Sequence, residues 1–381
     1  HIYQVSLYSY LLKEVQGILP KNFYILLKDK KKEVIKLKDV FNTFFLNKKN
    51  FENFIKKDSN KKKLEKISSI SIRDLQEFYE NEWKVNKHLN ALLGSNKNSV
   101  KKLNQVGIHT YDKLAKLDPK TEVKGLRDET KIKLINQAKL QIEAEKEGVI
   151  KFKYNEENFA LNKGFNLLPE PTECDLFFDL EGVQDIVYPR GLEYLFGIYF
   201  EEKGQKIFKP FWAHNREQEK KSLVKFFEFT KKHFEKYPKS KIYHYAPYEI
   251  NALERLTSYY KLHEVDMTHY LNLSKFVDLF KVVKQGIFVS QKSYSIKDIE
   301  KYYDFKRTGD ILKGDVSEEF YIQWMETEDQ KLLDQIAEYN KQDCISTFKL
   351  RKWLLKIKPE QTKWFVPEKE QMDLRPHEEV L

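Results

Sequence analysis

The sequence predicts an α/β protein whose main body is a mixed sheet flanked by helices, preceded by a helical domain and by a shorter α/β piece. Three observations predict it. Between residues 168 and 357, strand-like runs and helical periodicity follow in the order strand, strand, strand, helix, strand, helix and then helices. Residues 64–147 carry apolar positions at helical spacing, without a strand-like run. Residues 1–57 place two strand-like runs between two helical stretches. A chain of 381 residues exceeds one ordinary domain, which fits this division.

Each element has a local reason. The opening helix is amphipathic and is broken by Gly17, Pro20 and Asn22. Runs at 23–27 and 33–37 read as a hairpin with a charged tip, followed by a helix carrying Phe41, Phe44, Phe45, Phe51 and Phe54. The lysine-rich stretch 56–63 reads as a linker. Gly94 and Gly107 then punctuate short helices, and Thr110 is placed to cap the helix that starts at Tyr111. This unit ends over residues 143–148. Strands are expected at 175–181, 194–200, 206–211 and 241–245, with helices at 217–234 and 249–260. Residues 276–280 form a short extended run and 329–357 a long terminal helix. Residues 358–381, with Pro359, Pro367 and Pro376, read as an extended tail.

Composition excludes several classes. Aromatics make up 14% of the chain, enough to build a core, so a disordered chain is not expected. Cys174 and Cys344 are the two cysteines, which excludes a disulfide framework, a zinc ribbon and a four-cysteine iron–sulfur cluster, and points to a reducing, cytoplasmic setting. No apolar stretch is long enough to cross a bilayer, so no membrane partner is expected. Residues 1–150 hold 31 Lys and Arg against 19 Asp and Glu, whereas residues 151–381 hold 37 against 39. A basic front half joined to a carboxylate-bearing back half fits a nucleic-acid partner, although lysine excess also arises from a solvated surface.

Three patterns offer chemistry. In Asp179-Leu180-Glu181 the two carboxylates share one face of a strand, and two divalent ions would offset their repulsion. Hard oxygen ligands suit two Mg²⁺ or Mn²⁺ ions. Glu249 follows a strand and the turn at Pro247 and opens a helix. Tyr339 and Asp343, four residues apart, share a helix face. Tyr294 with Asp298, and Asp298 with Glu300, imitate two of these patterns. They lie in a helical-looking stretch where positions i and i+2 diverge.

The order of the three patterns resembles the DnaQ-like exonucleases of RNase H-like fold, whose tyrosine subgroup carries Tyr four residues before the last Asp. Residues 178–182, 243–256, 277–286 with 289–297, and 339–354 resemble more closely a bacterial RecB-like nuclease family, in which the second motif supplies Glu, as Glu249 does here. The resemblance implies a two-metal nuclease acting 3′ to 5′. Asp179, Glu181, Glu249 and Asp343 are then metal ligands, Tyr339 orients water, and Asp278 is a supporting or capping residue. It also implies a nucleic-acid partner, DNA before RNA, and in some members a superfamily 1 helicase. Gln4 and Tyr8 resemble the Gln-x-x-x-Tyr helix of RecB-type PD-(D/E)XK nucleases, so residues 1–57 are expected to be the C-terminal fragment of such a domain. Residues 90–117 resemble a helix-hairpin-helix, with Asn96, Lys97, Ser99, Lys101 and Lys102 as phosphate contacts. Lys281, Lys284 and Lys292 offer a second basic surface. A non-catalytic nucleic-acid-binding module serving a helicase or nuclease partner, and an RNA exonuclease, remain as alternatives.

Overall fold

The computed structural model describes residues 2–26, 32–56, 82–183, 191–308 and 314–367. The chain divides into two compact units, residues 1–79 and 80–381. In the first, α1 (Ile2–Gln16) and α2 (Leu37–Lys56) flank an antiparallel pair, β1 (Asn22–Leu26) and β2 (Lys32–Lys36). Phe23, Leu37 and Phe44 form its buried core. Most of the expected linker, residues 57–63, lies outside the described residues, as do the hairpin tip and residues 64–81.

The second unit begins with the helical domain. It comprises α3 (Lys97–Gln105), α4 (Tyr111–Ala115) and α5 (Asp128–Glu147). Gly107 turns the chain between α3 and α4 at φ +80°, a conformation that costs glycine little and other residues more. Thr110 does occupy the N-cap position of α4, but its side chain makes no capping hydrogen bond. Leu89, Leu103, Tyr111, Leu114 and Ile135 are wholly enclosed in this domain's core. Gln137 ties the helical domain to the sheet body, its Nε2 donating to the Val289 carbonyl at 2.8 Å.

The main body is a five-stranded sheet of β4 (Leu176–Val183), β5 (Leu192–Glu202), β6 (Gln205–Trp212), β7 (Ile242–His244) and β8 (Phe276–Asp278). The spatial order is β6-β5-β4-β7-β8, antiparallel among the first three and parallel from β4 to β8. β3 (Phe152–Tyr154) pairs separately with β9 (Ile287–Val289). On one face, Leu176, Phe178 and Leu180 pack against α6 (Arg216–Lys236) and α7 (Tyr248–Tyr260) through Phe226, Phe227 and Leu253. On the other, Phe177 packs against Phe348 of the long helix α12 (Gln330–Lys356). Each such buried side chain contributes about 1.5–3 kcal/mol. These rows hold β4 rigidly at the sheet centre, where the alternation also delivers Asp179 and Glu181 to the α12 face.

Two segments differ from the sequence expectation. The run 276–280 is extended only through Asp278. Asp278 then caps α9 (Leu279–Gly286), its side chain accepting from the Phe280 amide at 2.9 Å. α8 (Glu264–Asn272), the single turn α10 (Ile296–Ile299) and α11 (Gly314–Thr327) complete the helical cover. The tail makes a turn over residues 360–362, with the Thr362 amide donating to the Pro359 carbonyl at 3.0 Å, and is pinned back through residue 367 by the Phe365 amide donating to the Leu168 carbonyl at 2.8 Å; residues 368–381 lie outside the described residues. Among the described residues no helix is long and apolar enough to cross a membrane.

Candidate active site

Two elements far apart in sequence build the centre. Asp179 and Glu181 stand on the α12 face of β4, and a register shift between Glu181 and Gly182 breaks the ladder beside them. From α12, Tyr339, Asn340 and Asp343 come down at helical spacing onto the same face. One carboxylate oxygen from each of Asp179, Glu181 and Asp343 lies within 4.8 Å of the others. Asn340 holds Asp179 in place, its Nδ2 donating to Asp179 Oδ2 at 2.7 Å.

Electrostatics mark the cluster as strained without cations. Burial pushes the Asp179 carboxyl well above the usual range, and the charges of Asp343, Glu181 and Glu249 push it further. Glu181 is pushed up to about 8, again mainly by burial and then by Asp343, while hydrogen bonds from Ser317 and Asn340 oppose the shift. Such groups cannot all stay ionised side by side unless a cation joins them.

Glu249 stands beside this trio rather than within it. It is the second residue of α7, buried, with Oε2 3.6 Å from His244 Nδ1 and without a hydrogen-bond partner. Burial raises its pKa and His244 opposes the rise. Asp278 is not part of the cluster. Besides capping α9, it accepts from the Ala246 amide at 3.0 Å and so fixes the turn that leads to Glu249.

Tyr339 sits at the cluster's edge. Lys297 Nζ donates to its hydroxyl oxygen at 3.1 Å. Burial, and then the charge of Asp343, hold that hydroxyl far above the ordinary tyrosine range, so it stays protonated. Arg307 Nη2 donates to Asp343 Oδ1 at 2.5 Å and to Glu300 Oε1 at 2.5 Å. Burial works against the charge of Arg307, but Asp343 and Glu300 outweigh it. Sequence reasoning missed Asn340, Lys297, Arg307 and Ser317. For Asn340 a signal existed, since it precedes Asp343 by three residues on the same helix face. The two rival patterns do not assemble: Tyr294 donates to the Ile287 carbonyl, and Asp298 is engaged by Ser293 and Lys301.

The expected nucleic-acid contacts fall in two places. Asn96 caps α3, its side chain accepting from the amides of Asn98 and Ser99 at 3.0 and 2.9 Å, while Ser99 Oγ accepts from the Asn96 amide. Those two helix-terminal amides are therefore occupied by Asn96 itself. Lys97 and Lys101 are exposed, and Lys102 donates to the Gly125 carbonyl. Lys281 and Lys284 line a cleft of about 490 Å³ between α5 and the sheet domain, together with Lys133, Lys163, Phe280 and Tyr294. Lys292 is exposed beyond β9. In the first unit, Gln4 Nε2 donates to the Tyr8 hydroxyl at 2.9 Å on the exposed side of α1.

No curated protein and no solved structure matches the chain. Residues 176–355 match the sequence model of a family described as the RNase H superfamily, a span that runs from the first residue of β4 almost to the end of α12. The strand order and the carboxylate pair on the central strand are consistent with that match. This part of the chain is an RNase H-like domain, and its acidic cluster is compatible with a divalent metal.

Proposed function

We propose that this chain is a two-metal exonuclease that removes nucleotides from the 3′ end of DNA. The convergence of Asp179, Glu181 and Asp343 supports this reading best, because two elements more than 150 residues apart bring three carboxylates to one point. The donor set suits Mg²⁺ or Mn²⁺: every candidate ligand is a hard oxygen, and Glu249, whose Oε2 makes no hydrogen bond, offers a fourth carboxylate alongside. Asp179, Glu181, Glu249 and Asp343 would hold the ions. When bound, such ions polarise the phosphate and lower the pKa of the attacking water.

The chain's own groups then divide the remaining work. Asn340 fixes the Asp179 carboxylate by hydrogen bonding. Tyr339 is too weak an acid to act as a base at neutral pH. Because its oxygen accepts from Lys297, its own proton is left to orient water toward the phosphorus.

The test uses 5′-labelled DNA and RNA oligonucleotides with Mg²⁺ or Mn²⁺. We expect a ladder shortened one nucleotide at a time from the 3′ end of DNA. Asp179→Asn and Asp343→Asn should each lower the rate by roughly two orders of magnitude or more, the several kcal/mol that metal-assisted charge stabilisation supplies. No cleavage with either ion would sink the reading. Internal cuts would remove the exonuclease part of it, and a preference for RNA would reassign the substrate.

A further inference from the structure

Behind the three carboxylates runs a buried charged row that metal-assisted hydrolysis leaves unused. Arg307 bonds Glu300 through Nε at 3.1 and 3.0 Å and through Nη2 at 2.5 Å, and the same Nη2 reaches Asp343 Oδ1 at 2.5 Å. The side chains of Arg307 and Glu300 are each only 7% exposed. Glu300 is anchored in turn by the Ser346 hydroxyl at 2.7 Å, three residues beyond Asp343 on α12. The chain after Arg307 is tied to the same helix, with the Thr308 amide donating to Gln342 Oε1 at 2.9 Å.

Two roles are physically open to a cation so placed. It could stand in for a metal ion and compete with it, or it could orient a ligand for it. The geometry favours orientation. Three of the four hydrogen bonds go to Glu300, so the guanidinium already has its own counter-ion and does not depend on Asp343 for one. What it gives Asp343 is a short, directional bond to one oxygen, which fixes where the other points. A metal-ligating carboxylate that is itself held by hydrogen bonding is pre-organised, and removing such support commonly weakens metal binding.

We propose that Arg307, backed by Glu300, is a positioning residue that sets the Asp343 carboxylate for metal binding beside Asp179 and Glu181. The proposal rests on the metal-dependent nuclease reading. Its test is calorimetric titration of the whole chain with Mn²⁺ alone, without substrate, on the parent, Arg307→Gln, Arg307→Lys and Glu300→Gln. Melting curves without metal establish that each variant folds. Arg307→Gln should bind Mn²⁺ roughly 10–100-fold more weakly. Arg307→Lys should recover part of the loss, because it keeps the charge but not the planar fork. Glu300→Gln should shift affinity in the same direction by less, and it carries the test if Arg307→Gln does not fold. Unchanged or tighter Mn²⁺ binding in the folded variants overturns the positioning role, tighter binding meaning that Arg307 competes with the ion. A parent chain that binds no Mn²⁺ overturns the nuclease reading and this proposal together, which separates the two failures.

Discussion

Asp179 pairs across the sheet with Gly197, and the space that Gly197 leaves is filled by Asn340. A Cβ on Gly197 would lie 1.6 Å from Asn340 Oδ1, so any larger residue must expel the amide that holds Asp179. Gly197→Ala should therefore destabilise the protein by about 1–3 kcal/mol, the usual cost of overpacking, and should lower activity with it. Urea unfolding measures the first effect, and an unchanged midpoint would show that Asn340 can move freely. The pH dependence belongs to the same scale. Glu181 has a folded-state pKa raised to about 8, so between its unfolded value and 8 the folded state binds a proton that the unfolded state does not. Stability must then fall as pH rises through that window. The half-buried His214 and the buried His233 are shifted downward and act in the opposite sense, but only below about 6.5, the ordinary histidine range. With a chelator present, Glu181 should make stability decline between pH 6.5 and 8 by at most roughly 1.4 kcal/mol per pH unit. Glu181→Gln should flatten the decline, and a profile that rises over this range would contradict the proton count.

At the scale of elements, legibility follows periodicity. β4 and α12 carry long patterns, so both the strand pair Asp179 and Glu181 and the helix pair Tyr339 and Asp343 can be read, and their meeting follows from the motif order. Short elements are harder. Residues 276–280 look extended because Phe276, Val277 and Phe280 favour strands, yet Asp278 is a helix cap and the helix begins at once. Asn96-Lys97-Asn98-Ser99 likewise carries a readable cap, which takes up amides that a helix-hairpin-helix would offer to phosphate. The Glu300–Arg307–Asp343 row is not legible at all. Its bonds join an irregular segment to a helix 36 residues onward, and no local pattern encodes such packing. Asp298-Ile299-Glu300 can be dismissed as a metal motif, but nothing in the sequence shows that Glu300 supports one.

For the whole molecule, charge separates where local motifs do not. The front 150 residues carry 31 basic against 19 acidic groups, while the carboxylate cluster sits in the nearly balanced remainder. A polyanion must approach a negative centre, so cations close to the sheet domain matter more than distant ones. The α3 terminus has Asn98 and Ser99 already capped, which leaves Lys97 and Lys101 as exposed charges without an amide cradle. The cleft between α5 and the sheet domain instead gathers Lys133, Lys163, Lys281 and Lys284 around Phe280 and Tyr294, a combination able to meet phosphates and stack bases. We therefore expect Lys281→Glu with Lys284→Glu to weaken DNA binding more than Lys97→Glu with Lys101→Glu. Binding titrations over a range of salt concentrations distinguish the two surfaces. Each phosphate that a variant no longer neutralises should flatten the plot of log affinity against log salt by about 0.7 for single strands or 0.9 for duplex. A flatter slope in the cleft variant alone places the strand between the helical domain and the sheet. A flatter slope in the α3 variant alone moves it to the helical domain, and unchanged slopes in both would mean that the lysine excess is a solvated surface.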